Sequence, residues 1–281
     1  MKAQARPMPS TGITVVRRVE GGRLAYYGRA ADSAFWSRRW ADSFSPELYR
    51  RARSGDLGQL EEVMKRWLPN DGPILEAGCG LGQLVLALNA RGYKTEGVEL
   101  AEEAVSLALS ACPGLAVSVG DVCSLSVPDS HYAGYISLGV LEHSREGGET
   151  ILREAFRVLR PGGVALVSVP WFNALRRAKA VLGCYRGAAP ELEFYQYAFA
   201  DAEFMNIIRK AGFRIADVTG YDPIKGLRDE VGLIRYLFRM GSLGSRAESL
   251  IRCFLGRFPP LGNYVAHMLL VVARKPEVAK E

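Results

Sequence analysis

The chain has 281 residues, 48% of them hydrophobic and 23% charged, with a net charge of +6. Those proportions belong to an ordinary globular protein and exclude disorder, collagen and coiled coil. A chain this long buries enough apolar surface to fold without a disulfide or metal staple.

The five cysteines are scattered with no CxxC pair, which argues against a disulfide framework or a zinc site, and no metal is expected. The first residues lack a signal peptide's apolar run, and no stretch reaches the roughly 18 apolar residues of a membrane span. A reducing, cytoplasmic setting is expected. Charge is uneven: residues 1–60 carry +6, residues 61–204 carry −6 and residues 205–281 carry +6. Solvated arginine-rich helix faces account for the basic flanks, and so would one shared basic stripe if the flanks folded together.

In chain order, residues 1–55 show no strand signal and cluster Tyr26, Tyr27, Phe35, Trp36, Trp40 and Phe44, which reads as an N-terminal helical cap on the domain spanning 56–281. From residue 70 onward, apolar runs at 73–77, 95–99, 115–119, 134–138 and 163–169 alternate with helical patterns at 82–91, 101–111 and 147–160. The last of these helices stops at Arg160-Pro161-Gly162-Gly163. A helix at 201–212 and strands at 213–218 and 267–273 follow, separated by a helical insert over about 222–262. This alternation predicts an α/β, doubly wound, Rossmann-like architecture with seven strands.

The most informative stretch is Glu76-Ala77-Gly78-Cys79-Gly80-Leu81-Gly82-Gln83, at a strand-to-helix turn. Glycines there let backbone approach a ligand with φ > 0. The spacing is G-x-G-x-G, with Gln83 where a dinucleotide fingerprint wants its third glycine. Glu99 follows at the tip of the next strand, where a carboxylate can accept from ribose hydroxyls.

With Val98-Glu99-Leu100, Gly120-Asp121-Val122, the strand-four run Ser137–His143 and the Arg157–Gly163 turn, this loop resembles the class I S-adenosylmethionine-dependent methyltransferases, in their small-molecule group. The resemblance covers about 70–220 and implies a mostly parallel sheet with an antiparallel last strand. It implies S-adenosylmethionine as cofactor, with Gly78, Gly80 and Gly82 along the methionine moiety and Cys79 within that loop. Glu76 and Leu138 would lie near the ammonium, Glu99 at the ribose, and Leu100, Asp121 and Val122 at the adenine. Ala133 stands where the family usually has an acid.

Candidate acceptor contacts are Tyr26 and Tyr27 in the cap, and Trp171, Asn173 and Tyr195 in a loop running from strand five to Tyr197. His143 reads either as a general base for a hydroxyl acceptor or as a helix-start histidine bonded to backbone. Cys79 in a glycine loop reads as packing more readily than as a nucleophile. In Val231–Met240, arginines four apart fit packing on the sheet edge, a peripheral membrane contact or a grip on a lipid-like substrate.

The function expected is methyl transfer to a small molecule, to a hydroxyl oxygen, with no nucleic-acid partner; oligomeric state is open. An RNA or other macromolecule methyltransferase, or a cofactor-binding protein without catalysis, are the alternatives.

Overall fold

The computed structural model describes residues 15–187 and 191–277, apart from the side chains of residues 259 and 260. It opens on a hairpin, β1 (Val16–Glu20) and β2 (Arg23–Gly28), so the expected absence of strands before residue 55 is corrected. The reason is local. β1 reads Val-Arg-Arg-Val-Glu, and its charges hide the period of two that marks a strand. The helical part of the segment is α1 (Ser33–Ser43) and α2 (Pro46–Arg53). Asp32 caps α1 by accepting the Phe35 N–H at 2.7 Å, and Ser45 caps α2 with Pro46 in the first turn.

After α3 (Glu61–Trp67) come β3 (Pro73–Ala77), α4 (Gln83–Ala90), β4 (Lys94–Glu99), α5 (Glu102–Ala111), β5 (Val117–Val119) and β6 (Tyr132–Leu138). Then follow α6 (Glu149–Val158), β7 (Leu159–Pro170), α7 (Ala174–Val181), β8 (Glu193–Ala198), α8 (Asp201–Lys210) and β9 (Arg214–Tyr221). The Arg160–Gly163 stretch lies inside β7 and does not precede it. The expected loop from Trp171 to Tyr197 is replaced by α7 and β8, and β8 pairs with β2 to complete a small three-stranded sheet. The helices after β9 are α9 (Pro223–Glu230), α10 (Gly232–Leu237), α11 (Gly241–Arg257) and α12 (Pro259–Val265), before β10 (Met268–Arg274). The prolines at 259 and 260 begin a helix here.

The main sheet has seven strands in the order β5-β4-β3-β6-β7-β10-β9. Strands β3 to β7 run parallel, and β10 is antiparallel to both of its neighbours. Successive residues feed opposite faces. Leu75, Tyr135, Val167 and Val271 join the core on one side, while Ile74, Ile136, Leu166 and Leu270 join the core on the other. From β3 the chain moves outward to β4 and β5, then returns to β6 on the far side of β3. The connections leaving β3 and β6 therefore diverge, which opens a crevice beyond the carboxyl ends of these two strands.

Candidate active site

The glycine loop is pinned where β3 meets α4. The N–H groups of Gly78 and Cys79 both donate to the Val98 carbonyl, at 2.8 and 3.0 Å, and the Tyr49 hydroxyl donates to the Leu81 carbonyl at 2.7 Å. Gly78, Gly80 and Gly82 take φ of +79°, +54° and +69°, a region that L side chains rarely adopt. Their surroundings differ. A Cβ on Gly78 would stand 2.4 Å from Val140, one on Gly80 2.6 Å from the Trp40 ring, and one on Gly82 2.8 Å from Leu115.

Gly78 lines the crevice, whereas Gly82 lets α4 sit close to the end of β5. Cys79 turns toward Gly97 and is buried, and burial pushes its thiol far above the usual range. Gly82 and Cys79, both expected at the cofactor, are thus placed in packing roles.

The crevice is a cleft of about 1580 Å³, with Gly78, Glu99, Leu100, Asp121, Val122 and Leu138 at one end. Ala133 is buried in β6 and is not among the residues that line it. Glu99 accepts from Gly80 N–H at 2.9 Å through Oε2 and from Ala101 N–H at 3.1 Å through Oε1. Each carboxylate oxygen keeps a lone pair for a further donor.

Glu76 and Gly80 are not among the residues that line the cleft; Glu76 is buried, and its Oε2 has no partner. Burial, with the Glu99 charge beside it, pushes the Glu76 carboxyl up to about 8 against a pull from the Val85 amide. Trp40 Nε1 is a second buried group without a partner, here a donor. An unpaired acceptor for an ammonium, an unpaired donor for a carboxylate, a strand-tip acid for ribose and the half-exposed Leu100 for an adenine face fit S-adenosylmethionine. Among the described residues no cluster of three or more His, Cys, Asp or Glu side chains could hold a metal ion.

His143 also lines the cleft. Its Nδ1 lies 2.8 Å from the Tyr195 carbonyl, so this nitrogen carries the proton and Nε2 keeps a lone pair. Trp36 packs edge-on to the imidazole at 4.8 Å between centroids. Burial, with Arg39 nearby, lowers the ring to about 4, the Tyr195 bond pulling the other way. Neighbouring Glu142 is buried with Oε2 unpartnered, and burial raises its carboxyl to about 8.

Tyr26 and Tyr195 line the cleft, as expected. Tyr27, Trp171 and Asn173 do not. Tyr27 sits on the other face of β2 and donates to Glu20 at 2.7 Å. Trp171 packs against the core, and its carbonyl accepts from Arg176 at 2.6 Å. Asn173 caps α7 and donates to the Ala266 carbonyl at 2.7 Å, which any polar cap residue in a loop would hide from sequence reading.

The far wall was not anticipated. Arg17, Arg176, Lys225, Arg228, Arg235 and Arg239 line it. Glu230, with a fully buried side chain, accepts from Arg17 at 2.7 Å, Arg176 at 3.0 Å, Lys179 at 2.8 Å and Tyr185 at 2.6 Å. His267 faces Arg176 and Lys225, and burial with these two cations keeps it neutral. Only the arginines four apart at 235 and 239 were visible as a pattern in the sequence.

A switch-point cleft with a glycine loop and a strand-tip acid defines a nucleoside-cofactor enzyme fold. Residues 75–167 match the family described as "Methyltransferase domain". A "probable S-adenosylmethionine-dependent methyltransferase" of Mycolicibacterium smegmatis is 29% identical over 156 residues, 56% of this chain and 57% of that protein. An S-adenosyl-L-methionine-dependent Diels-Alderase of Talaromyces variabilis is 32% identical over 124 residues, 40% of this chain and 42% of that one. The fold is shared with Haemonchus contortus phosphoethanolamine N-methyltransferase 2, solved with S-adenosyl-L-methionine, at a TM-score of 0.55 and 16% identity over 90% of this chain and 63% of that one. Residues 75–167 thus match a methyltransferase domain, and the chain spans about half the length of the curated relatives it matches.

Proposed function

We propose that the chain transfers a methyl group from S-adenosylmethionine to a hydroxyl oxygen of a small-molecule acceptor in the cytoplasm. In this reading Glu76 holds the ammonium, Trp40 the carboxylate and Glu99 the ribose, and the acceptor sits between His143 and the wall made by the hairpin and the helices over about 222–262. When bound, the cofactor supplies a methyl group activated on a sulfonium, so the leaving group is already good. What the chain adds is alignment, worth up to ~7–11 kcal/mol of barrier in favourable cases. The observation that carries the acceptor assignment is the His143 tautomer, whose free Nε2 lies on the cleft wall. There it accepts a hydrogen bond from the acceptor hydroxyl, turns an oxygen lone pair toward the methyl carbon and takes the proton as the carbon–oxygen bond forms. A ring held at about 4 is a weak base, so orientation is the larger part of its work.

The test uses methyl-labelled cofactor with panels of hydroxyl-bearing small molecules, amines and RNA. Label should appear on a hydroxyl compound. His143→Ala should lower that rate by about 10²-fold, the low end for a general base, with cofactor affinity retained. Because His143 stays neutral down to about pH 4, the rate should show no acid limb near pH 6.5. Label on RNA, or cofactor bound without transfer to anything, would reject the assignment. The second outcome is what a pericyclase-like protein would give.

A further inference from the structure

The helices between β9 and β10 leave an apolar face that nothing else in the described fold covers. In α11, Gly244 and Leu255 are buried against the protein, while Glu248 and Arg252 line the cleft. At 100° per residue, Leu243, Leu250 and Phe254 fall on one narrow stripe on another side of the helix. They are 53%, 71% and 54% exposed. Arg246 and Arg257 border this stripe along one edge, both exposed. Leu233, Tyr236, Met240, Phe258, Leu261 and Tyr264, on α10, α12 and their connections, add further exposed apolar surface. This corrects the expectation that Val231–Met240 packs on the sheet edge.

We propose that this face docks on an anionic membrane surface, its arginines pairing with lipid phosphates while Leu243, Leu250 and Phe254 enter the headgroup region. Charge selects the occupant. Arg235, Arg239, Arg252 and Glu248 line the cleft, so Arg246 and Arg257 are the charges of α11 beside the stripe, and two copies meeting through this face would set these arginines against each other. An anionic leaflet complements the same charge, and a basic edge beside an apolar stripe is the pattern of an interfacial helix. Among the described residues no helix is long and apolar enough to cross a membrane, so the contact is one of lying on the surface. The cleft opens beside it, since Arg235, Phe238, Arg239 and Arg252 belong to the same segment and line the cleft. The proposal holds whether or not methyl transfer to a hydroxyl is the reaction.

The experiment is co-sedimentation of the full chain with vesicles of phosphatidylcholine alone or mixed with phosphatidylglycerol. Binding should be at least about tenfold stronger to the mixed vesicles and should fall with salt. The pairs Leu250→Asp with Phe254→Asp, and Arg246→Glu with Arg257→Glu, should each abolish it at an unchanged melting temperature. Equal partitioning to both vesicles, or binding retained by both pairs, would overturn the proposal. So would a dimer in sedimentation velocity that the Leu250/Phe254 pair dissolves while no vesicle binding is seen, which would assign the face to a second copy.

Discussion

Glu76 and Glu99 lie at the ends of adjacent parallel strands; Glu99 lines the cleft and Glu76 is buried behind it. Without its ligand the arrangement has a cost, because a buried carboxyl held at about 8 keeps a proton that the unfolded chain gives up near its ordinary 4.5. The folded state then binds more protons than the unfolded one between these values, so this group's contribution to stability falls as pH rises from 4.5 to about 8. Glu76→Gln removes that dependence. Calorimetric melting of the ligand-free protein should show the variant's stability relative to the parent rising by about 2 kcal/mol between pH 6 and pH 8. Equal melting temperatures at both pH values would mean that Glu76 is not forced to carry its proton. Glu99 is different in kind, since the hydrogen bonds it accepts from the Gly80 and Ala101 amides make it a brace for the loop beside the ribose role proposed for it.

Between elements, Glu230 is the joint that ties α9 to β1 and α7. Burial alone would raise its carboxyl, but hydrogen bonds from Lys179 and Tyr185 and the charges of Arg17 and Arg176 outweigh that and hold it at about 2. A depressed carboxyl contributes stability above its unfolded value of 4.5, and that contribution is lost as pH falls through about 2. Glu230→Gln leaves the buried Arg176 without its counter-charge and should cost about 3–5 kcal/mol in urea unfolding at pH 7. It should also flatten the stability curve between pH 4.5 and 2, and a loss under 1 kcal/mol, about the worth of a surface pair, would show that the joint is ornamental. This joint also marks where sequence reading stopped. The central strands β3, β6, β7 and β10 announced themselves through apolar runs buried on both faces, and the glycine loop through its spacing. By contrast, β8 is Glu-Phe-Tyr-Gln-Tyr-Ala, an aromatic run paired to a distant hairpin. Helix α7 turns a fully buried Arg176 inward, which inverts the polar-outside pattern that periodicity relies on. Glu76, Glu99 and His143 were legible because they sit at fixed offsets from strong strands. The partners of the far wall were not, because long-range ion pairs leave no local period.

For the molecule as a whole, the two basic flanks meet. The hairpin before residue 56 supplies Arg17 and the helices after β9 supply Lys225, Arg228, Arg235 and Arg239, so both ends of the chain close over the acidic nucleotide-fold centre and line one cleft. In the proposed reading, one end of that cleft takes the cofactor and the other the acceptor of its methyl group. The claim underneath is that the carboxylate of Glu76 receives the cofactor's ammonium, and calorimetric titration of S-adenosylmethionine in two buffers of different ionisation enthalpy tests it at pH 7. Because Glu76 is mostly protonated there, binding should release about one proton per site, the release should vanish with affinity in Glu76→Gln, and NAD should give no heat. Binding of NAD with no response to S-adenosylmethionine, or full affinity for S-adenosylmethionine in Glu76→Gln, would contradict the account.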